Sequence, residues 1–117
     1  MEKQLRWNLG ATPALIKLTY RKCPWCGKEI TGNSFDRHHW LIKRGAVPKN
    51  SFELIDVLIN VVPVHHKCHM MYGQTKEFRR KCLAYVSTLF SAEDILEWYN
   101  SVSIKTNLIK KDSTGEL

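Results

Sequence analysis

Cysteines and histidines gather in two short clusters in the middle of this 117-residue chain. The first cluster is the CPWC motif at residues 23–26, and the second is the HHKCH run at residues 65–69. A structural zinc ion is usually held by two pairs of ligands, with two residues between the members of each pair. The two clusters therefore predict one structural Zn²⁺ site. Its ligands would be Cys23, Cys26, His65 and Cys68.

The third zinc ligand is open at this point, because His66 could replace His65 if the turn is rotated. The CPWC motif could instead be a redox pair, but no βαβ pattern surrounds it. The start of the chain has no apolar region typical of a secretory signal, and no apolar run is long enough for a membrane span. We therefore expect a cytoplasmic, soluble protein whose thiols stay reduced and bind metal.

Apart from His65 and His66, of which one is assigned to the zinc ion, the chain has three further histidines, namely His38, His39 and His69. A histidine can act as a general base at neutral pH because its ordinary pKa is near ~6.5. Other histidines can hold a divalent ion, which polarises a phosphate and stabilises a leaving oxygen. Together these functions meet the requirements of phosphodiester hydrolysis.

A tight turn and a β-hairpin are the elements expected to position the first cluster and the paired histidines. The CPWCG turn at residues 23–27 lets both thiols face one ion. The turn residues that follow predict a β-hairpin within residues 28–45, with His38 and His39 on its second strand. Neighbouring residues on a strand face opposite sides, so aiming both rings at one ion would require a distortion around Arg37–Trp40.

Helices are predicted for the second half of the chain. The first is expected to begin near His65 and to end at Gly73. Thr75 can cap the next helix through its hydroxyl group. The last helix should start with a capping box formed by Ser91 and Asp94.

These elements predict an α+β fold, in which a small zinc-stapled core of a β-hairpin plus a helix carries additional C-terminal helices. We expect four parts along the chain. They are a basic N-terminal extension at 1–21, the zinc-stapled core at 22–75, a helical C-terminal subdomain packing on the core at 76–103, and a flexible tail at 104–117.

The segments CPWCGKEI, FDRHHWLIKRG and NVVPVHHKCHMMYG resemble the HNH, or ββα-metal, endonuclease family over residues 23–75, about half of the chain. In that family two strands and a helix clasp one catalytic divalent ion. Members with a zinc clasp carry CxxC before the first strand and CxxCH at the start of the helix. This chain has HHKCH there, so His65 replaces a cysteine. Histidine also binds zinc, and we therefore expect the departure to preserve the site.

The resemblance implies a role for each remaining residue of the motif. His39 matches the general base, and His38 and His69 match the ligands of a catalytic Mg²⁺, Mn²⁺ or other transition-metal ion. Asn60 matches the middle letter of the motif, which ties the loop in place and orients the base. Asp36 shares the strand face of His38 and could approach the metal or brace the site, and bracing is the preferred interpretation. The products would carry 5′-phosphate and 3′-hydroxyl ends.

The net charge of +7 is concentrated in the first 50 residues, which hold ten lysines and arginines against three acidic residues. This distribution indicates a polyanionic partner. The resemblance to the HNH endonuclease family implies that this partner is DNA. The N-terminal segment could form an arm that binds the nucleic-acid backbone, because it interleaves cations and aromatics. These residues are Arg6, Trp7, Lys17, Tyr20, Arg21 and Lys22. Trp7 could equally belong to the core. We expect no membrane association and no small-molecule cofactor, and either a monomer or a homodimer. The residues expected to contact phosphates are Arg37, Lys43, Arg79 and Arg80.

Two other functions fit parts of the pattern. A non-catalytic zinc module that binds nucleic acid would need the cysteines but not the pair of His38 and His39. A redox-sensing zinc protein would release zinc when its thiols are oxidised, and it would need neither Asn60 nor His69.

Overall fold

Two short strands and five α-helices form the described part of the chain, residues 10–32 and 34–106 of a computed structural model. The fold is α+β, as predicted: an antiparallel pair of strands is followed directly by a helix, and further helices come after it. Two 3₁₀ turns, Arg44–Ala46 and Lys49–Ser51, follow the first strand. In chain order the elements are α1 (Pro13–Tyr20), β1 (Asp36–His39), α2 (Phe52–Ile55), β2 (Val61–Val64), α3 (His66–Tyr72), α4 (Lys76–Val86) and α5 (Ala92–Thr106).

The strand β1 pairs with β2 and not with the segment that precedes it. The register places Asp36 opposite Val64 and His39 opposite Val61. The predicted hairpin within residues 28–45 is therefore wrong. All four residues of β2 are buried, whereas residues 28, 29 and 31 are exposed. Pairing with β2 thus attaches β1 to the hydrophobic core, which the polar segment before it could not do.

The helix α1 docks part of the basic N-terminal extension onto the core. Thr12 caps it by accepting a hydrogen bond from the backbone N–H of Leu15 at 3.2 Å, and proline is well suited to the first helical position. Ile16 and Tyr20 are buried, and the Tyr20 hydroxyl donates to the carbonyl of Leu58. Residues 1–9, which include Arg6 and Trp7 of the predicted arm, lie outside the described residues. Tyr20, also predicted for the arm, is buried in the core instead.

Both predicted caps of the C-terminal helices are confirmed. The Thr75 hydroxyl accepts from the N–H of Phe78 at 3.1 Å, at the start of α4. The Ser91 hydroxyl accepts from the N–H of Asp94 at 3.1 Å, and the Asp94 carboxylate accepts from the N–H of Ser91 at 3.4 Å. These capping interactions explain why α4 and α5 begin where the sequence predicts.

The helices α4 and α5 pack on the core through large buried side chains. Trp98 of α5 is 1% exposed, and its indole N–H donates to the carbonyl of Leu54 at 3.1 Å. Cys82 lies fully buried on the apolar stripe of α4, and burial raises the pKa of its thiol to about 12. Among the described residues, no helix is both long enough and apolar enough to cross a membrane. The predicted tail at 104–117 is described only as far as Thr106.

Candidate metal and catalytic sites

Three thiols and one imidazole converge between the CPWC turn and the start of α3. Their ligand atoms all lie within 4.8 Å of one another. A tetrahedral zinc ion with bonds of about 2.0–2.3 Å would place its ligand atoms about 3.4–3.8 Å apart. The group therefore fits a structural metal such as zinc, as the spacing of the two pairs predicts. Its members are Cys23, Cys26, His65 and Cys68.

His65, and not His66, belongs to this group. The Nδ1 atom of His65 lies 3.2 Å from the sulfur of Cys26, and its Nε2–H donates to the carbonyl of Glu29 at 3.2 Å. This second bond fixes the tautomer in which Nδ1 is free to bind a metal. His66 points elsewhere, because its Nδ1 atom lies 2.8 Å from the carboxylate of Asp36. The alternative that the sequence left open is thereby resolved.

The CPWC turn is closed by its own backbone. The N–H of Gly27 donates to the carbonyl of Cys23 at 2.9 Å, and the N–H of Cys23 donates to the carbonyl of Lys28 at 3.0 Å. Gly27 has a φ of +75°, in the left-handed region that favours glycine. The closed turn lets both thiols face the first residues of α3.

Trp25, between the two cysteines, fastens this turn to the helices. Its ring stacks on Tyr72 of α3, with 4.1 Å between centroids and 17° between planes. The ammonium group of Lys81 lies 4.3 Å from the centre of the same ring, which is a favourable cation–π distance. The turn is therefore held to α3 and α4 by contacts that do not depend on the metal ligands.

The thiols of this group differ in acidity. Burial favours the neutral form of Cys23, but hydrogen bonds from the backbone of Cys26 and His65 hold its pKa below the ordinary value. Burial and the negative charge on Cys23 raise the pKa of Cys68 to about 11. Adjacent thiolates repel one another, so all the thiols can ionise together only when a cation is bound between them.

His38 and His69 lie together on the side of β1 that faces the helices. His38 is 7% exposed. Its ring stacks on Phe78 at 4.9 Å between centroids and meets the ring of His69 edge-on at 5.0 Å. Burial, reinforced by the nearby positive charges of His69 and Lys43, lowers the pKa of His38 to about 4. His38 is therefore neutral at neutral pH, which is the form that binds metals.

Asp36 lies behind His69, where the sequence predicts a bracing residue. One oxygen of its carboxylate accepts hydrogen bonds from the Nδ1–H groups of His66 and His69, each at 2.8 Å. Burial favours the neutral acid, but these two bonds hold the pKa of Asp36 below its usual range. A carboxylate in this position fixes the tautomer of a metal-binding histidine. It leaves Nε2 of His69 as the ring nitrogen available to a ligand.

Gly73 ends α3 and leaves room for His69. A Cβ atom at position 73 would lie 2.5 Å from the carbonyl oxygen of His69 and 2.6 Å from Cδ2 of its ring. Both distances are shorter than real contacts of a Cβ atom. A larger residue at this position would therefore displace the His69 ring or the last turn of α3.

His39 lies on the opposite face of β1 and contacts Asp56, at the end of α2. Its Nε2–H donates to one carboxylate oxygen of Asp56 at 2.6 Å. The guanidinium of Arg44 donates to the other oxygen at 2.9 Å. Burial favours the neutral acid, but the bonds from His39 and Arg44 hold the pKa of Asp56 below its usual range.

The sequence prediction included neither Asp56 nor Arg44 among the site residues. Asp56 lies 17 positions after His39 and follows a non-local turn of the chain, so no spacing rule links the two. One signal was present in the sequence, since Asp56 is the one charged residue between Leu54 and Ile59. An isolated carboxylate in an apolar stretch needs a partner, but the sequence does not identify which partner it has.

No bulge interrupts β1, so the distortion expected around Arg37–Trp40 is absent from the regular ladder of residues 36–39. His38 and His39 accordingly project to opposite faces of the sheet. The two residues nevertheless both border one surface cavity of about 240 Å³, together with His69. The other residues lining this cavity are Arg37, Lys43, Arg44 and Gln74.

The predicted phosphate-contacting residues are distributed over several cavities. Arg37 and Lys43 line the cavity of the three histidines. Arg79 lines an adjoining cavity of about 230 Å³, which also contains His38 and Lys43. Arg80 does not line either of these two cavities; it borders an apolar groove beside α4 and α5.

Asn60 is fully buried and holds the segment after β1 in place. Its side-chain oxygen accepts from the N–H groups of Leu41 and Ile42 at 3.2 and 3.0 Å. Its side-chain nitrogen donates to the carbonyls of Ile42 and Ile55, each at 2.9 Å. Asn60 does not line the cavity of the three histidines. Its geometry therefore corresponds to the loop-tying role that the sequence predicts.

Among the described residues, the zinc-type group is the one set of three or more Cys, His, Asp or Glu residues whose ligand atoms all lie within 4.8 Å. Within residues 10–32 and 34–106, His38 and His69 do not form such a set with a third Cys, His, Asp or Glu. An ion held by this pair would take its remaining ligands from water or from a bound molecule. Comparison with protein-family models, with curated proteins and with solved structures gives no match to this chain.

Proposed function

We propose that this chain is a metal-dependent endonuclease of the HNH type that hydrolyses phosphodiester bonds in DNA. The observation that carries the proposal is a surface cavity of about 240 Å³ whose lining combines three histidines with three cationic residues. The order of two strands and a helix, with a zinc-type group at the start of the helix, supports it. The histidines are His38, His39 and His69, and the cationic residues are Arg37, Lys43 and Arg44.

His39 is the general base in this proposal. Its Nε2–H is engaged by Asp56, and within the described residues its Nδ1 atom has no hydrogen-bond partner. Nδ1 is therefore the atom that accepts a proton from water as the water oxygen attacks the phosphorus. His39 lies on the strand face away from His38, so the base is not itself a metal ligand.

His38 and His69 hold the catalytic divalent ion. When bound, this ion supplies Lewis acidity to the scissile phosphate and stabilises the negative charge that develops there. Burial keeps His38 neutral, and Asp36 fixes the ring of His69 through Nδ1. His69 thus presents Nε2 as the ring nitrogen available to a metal.

The bond between phosphorus and the 3′-oxygen breaks as the new bond to the water oxygen forms. The leaving oxygen takes up a proton from water, and the proton that His39 accepted returns to solvent. The products carry a 5′-phosphate and a 3′-hydroxyl group. Arg37 and Lys43, which line the cavity, bind phosphates of the DNA backbone, because cationic side chains neutralise phosphates.

The test is nicking of supercoiled plasmid by the zinc-loaded protein with Mg²⁺, Mn²⁺ or Ni²⁺. We expect wild type to convert the plasmid to the nicked form in at least one metal. His39→Ala should lower the rate by about 10²–10⁴-fold, the usual contribution of a general base. The control is Asn100→Ala, which changes an exposed side chain of α5 that does not line the cavity, and it should retain nicking. Absence of nicking by wild type in every metal, or equal rates for wild type and His39→Ala, would refute the proposal.

A zinc module that binds nucleic acid without cleaving it is the alternative. The observation that favours it is that only the zinc-type group among the described residues brings four ligands together. In that case plasmid binding, measured by a gel shift, would persist in both His39→Ala and His38→Ala. Cys26→Ser would abolish binding by removing a zinc ligand, and no metal would produce nicks.

A further inference from the structure

We infer that Asp56 is a positioning residue, which holds the ring of His39 in the orientation and tautomer that a general base requires. The inference rests on the proposed function, because it gives His39 the role of the base. Two hydrogen bonds support this role: the Asp56 carboxylate accepts from His39 at 2.6 Å and from Arg44 at 2.9 Å.

Asp56 is itself fixed by its surroundings. Its backbone N–H donates to the carbonyl of Phe52 at 2.9 Å, and its carbonyl accepts from the N–H of Ala11 at 2.8 Å. The guanidinium of Arg44 lies 4.8 Å from the centre of the Phe52 ring. The backbone of Asp56 and the second oxygen of its carboxylate are therefore both held by hydrogen bonds, and the first oxygen faces the ring of His39.

An ionised carboxylate can only accept hydrogen bonds, so it selects one tautomer of the ring. Burial raises the pKa of Asp56, but the hydrogen bonds from His39 and Arg44 outweigh this effect and hold the pKa below its usual range. The proton of neutral His39 must then reside on Nε2, and the lone pair must reside on Nδ1. When Nδ1 accepts a proton from water, the carboxylate also stabilises the resulting imidazolium.

A simple ion pair that only adds stability is the competing explanation for this contact. The two explanations differ for Asp56→Asn, which has the same shape as the natural residue. Arg44 donates its N–H, so it would select the amide oxygen of the new side chain. The amide N–H₂ group would then face Nε2 of His39 and donate to it, which moves the ring proton to Nδ1 and blocks the base.

The experiment combines ¹⁵N NMR of the His39 ring with plasmid nicking by the zinc-loaded full chain. In wild type at alkaline pH we expect the proton on Nε2, and in Asp56→Asn we expect it on Nδ1. Nicking by Asp56→Asn should show a kcat about 10²–10³-fold lower, with KM changed by less than about threefold. Asp56→Glu, which keeps an acceptor, should recover part of kcat. The matched control is Glu53→Gln, which removes an exposed carboxylate of α2 and should leave both readouts unchanged.

Four outcomes would separate the role of Asp56 from the proposed function. A ring proton on Nδ1 in wild type, or a kcat of Asp56→Asn within about threefold of wild type, would overturn the role of Asp56 while nicking that depends on His39 still stands. An unchanged tautomer in Asp56→Asn would overturn it as well. No nicking by wild type would overturn the proposed function, and the NMR comparison would still decide whether Asp56 sets the tautomer of His39.

Discussion

Replacing Asn60 by alanine should destabilise the protein severely, because the side chain of Asn60 completes four hydrogen bonds inside the core. The change leaves two N–H groups, those of Leu41 and Ile42, and two carbonyls, those of Ile42 and Ile55, without their present partners. Each intramolecular hydrogen bond contributes about 1 kcal/mol net, and a buried group left unpaired costs about 1–3 kcal/mol. We therefore expect Asn60→Ala to lower the free energy of unfolding by about 3–5 kcal/mol.

Urea denaturation of the zinc-loaded protein, followed by tryptophan fluorescence, measures this loss. The midpoint should fall while the slope with denaturant stays constant, which indicates a change in stability alone. The matched control is Asn100→Ala, because Asn100 is exposed on α5 and its replacement should change stability by less than about 0.5 kcal/mol. A loss below about 1 kcal/mol for Asn60→Ala would refute the view that Asn60 acts by tying the loop.

Three further predictions concern the metal group, the end of α3 and the buried histidine. Cys26→Ser should abolish the binding of one zinc per chain, measured by atomic absorption, while Cys82→Ala should retain it because Cys82 lies outside the metal group. Gly73→Ala should cost about 1–3 kcal/mol by displacing His69, whereas Gly45→Ala, where a Cβ meets nothing within 4 Å, should be neutral in the same denaturation assay. The pKa of His38 is about 4 in the folded state and near ~6.5 in the unfolded chain. The contribution of His38 to stability is therefore present above pH ~6.5 and is lost as the pH falls toward 4. The free energy of unfolding should fall by about 3 kcal/mol over this range. His38→Gln should flatten this part of the stability–pH curve. Equal zinc content in both cysteine variants, equal stability of both glycine variants, or an unchanged curve for His38→Gln would contradict the respective prediction.

Features encoded by short stretches of sequence could be predicted for this chain. The caps formed by Thr75 and by Ser91 with Asp94 depend on residues three positions apart, and both form as expected. The zinc-type group also follows from two local pairs, although they lie far apart in the chain. These predictions agree with the structure because the geometry of a turn or a cap is decided by a few neighbouring dihedral angles.

Features that depend on distant partners could not be predicted in the same way. The turn residues before His38 and His39 predict a local hairpin for the strand that carries them. The strand instead pairs with β2, more than 20 residues away, because β2 is buried in the core. The contact between His39 and Asp56 likewise requires the path of the loop that Asn60 holds. Side-chain pairing across such a loop has no periodicity that a sequence pattern could reveal.

Metal-dependent nicking of supercoiled plasmid by wild type and by His39→Ala, measured side by side at equal zinc content, tests the central claim most directly. The claim predicts nicking by wild type that requires an added divalent ion, nicks that DNA ligase can reseal, and a loss of at least about 10²-fold in His39→Ala. Nicking at the same rate by both proteins, or no nicking by wild type with any of the metals, would contradict it.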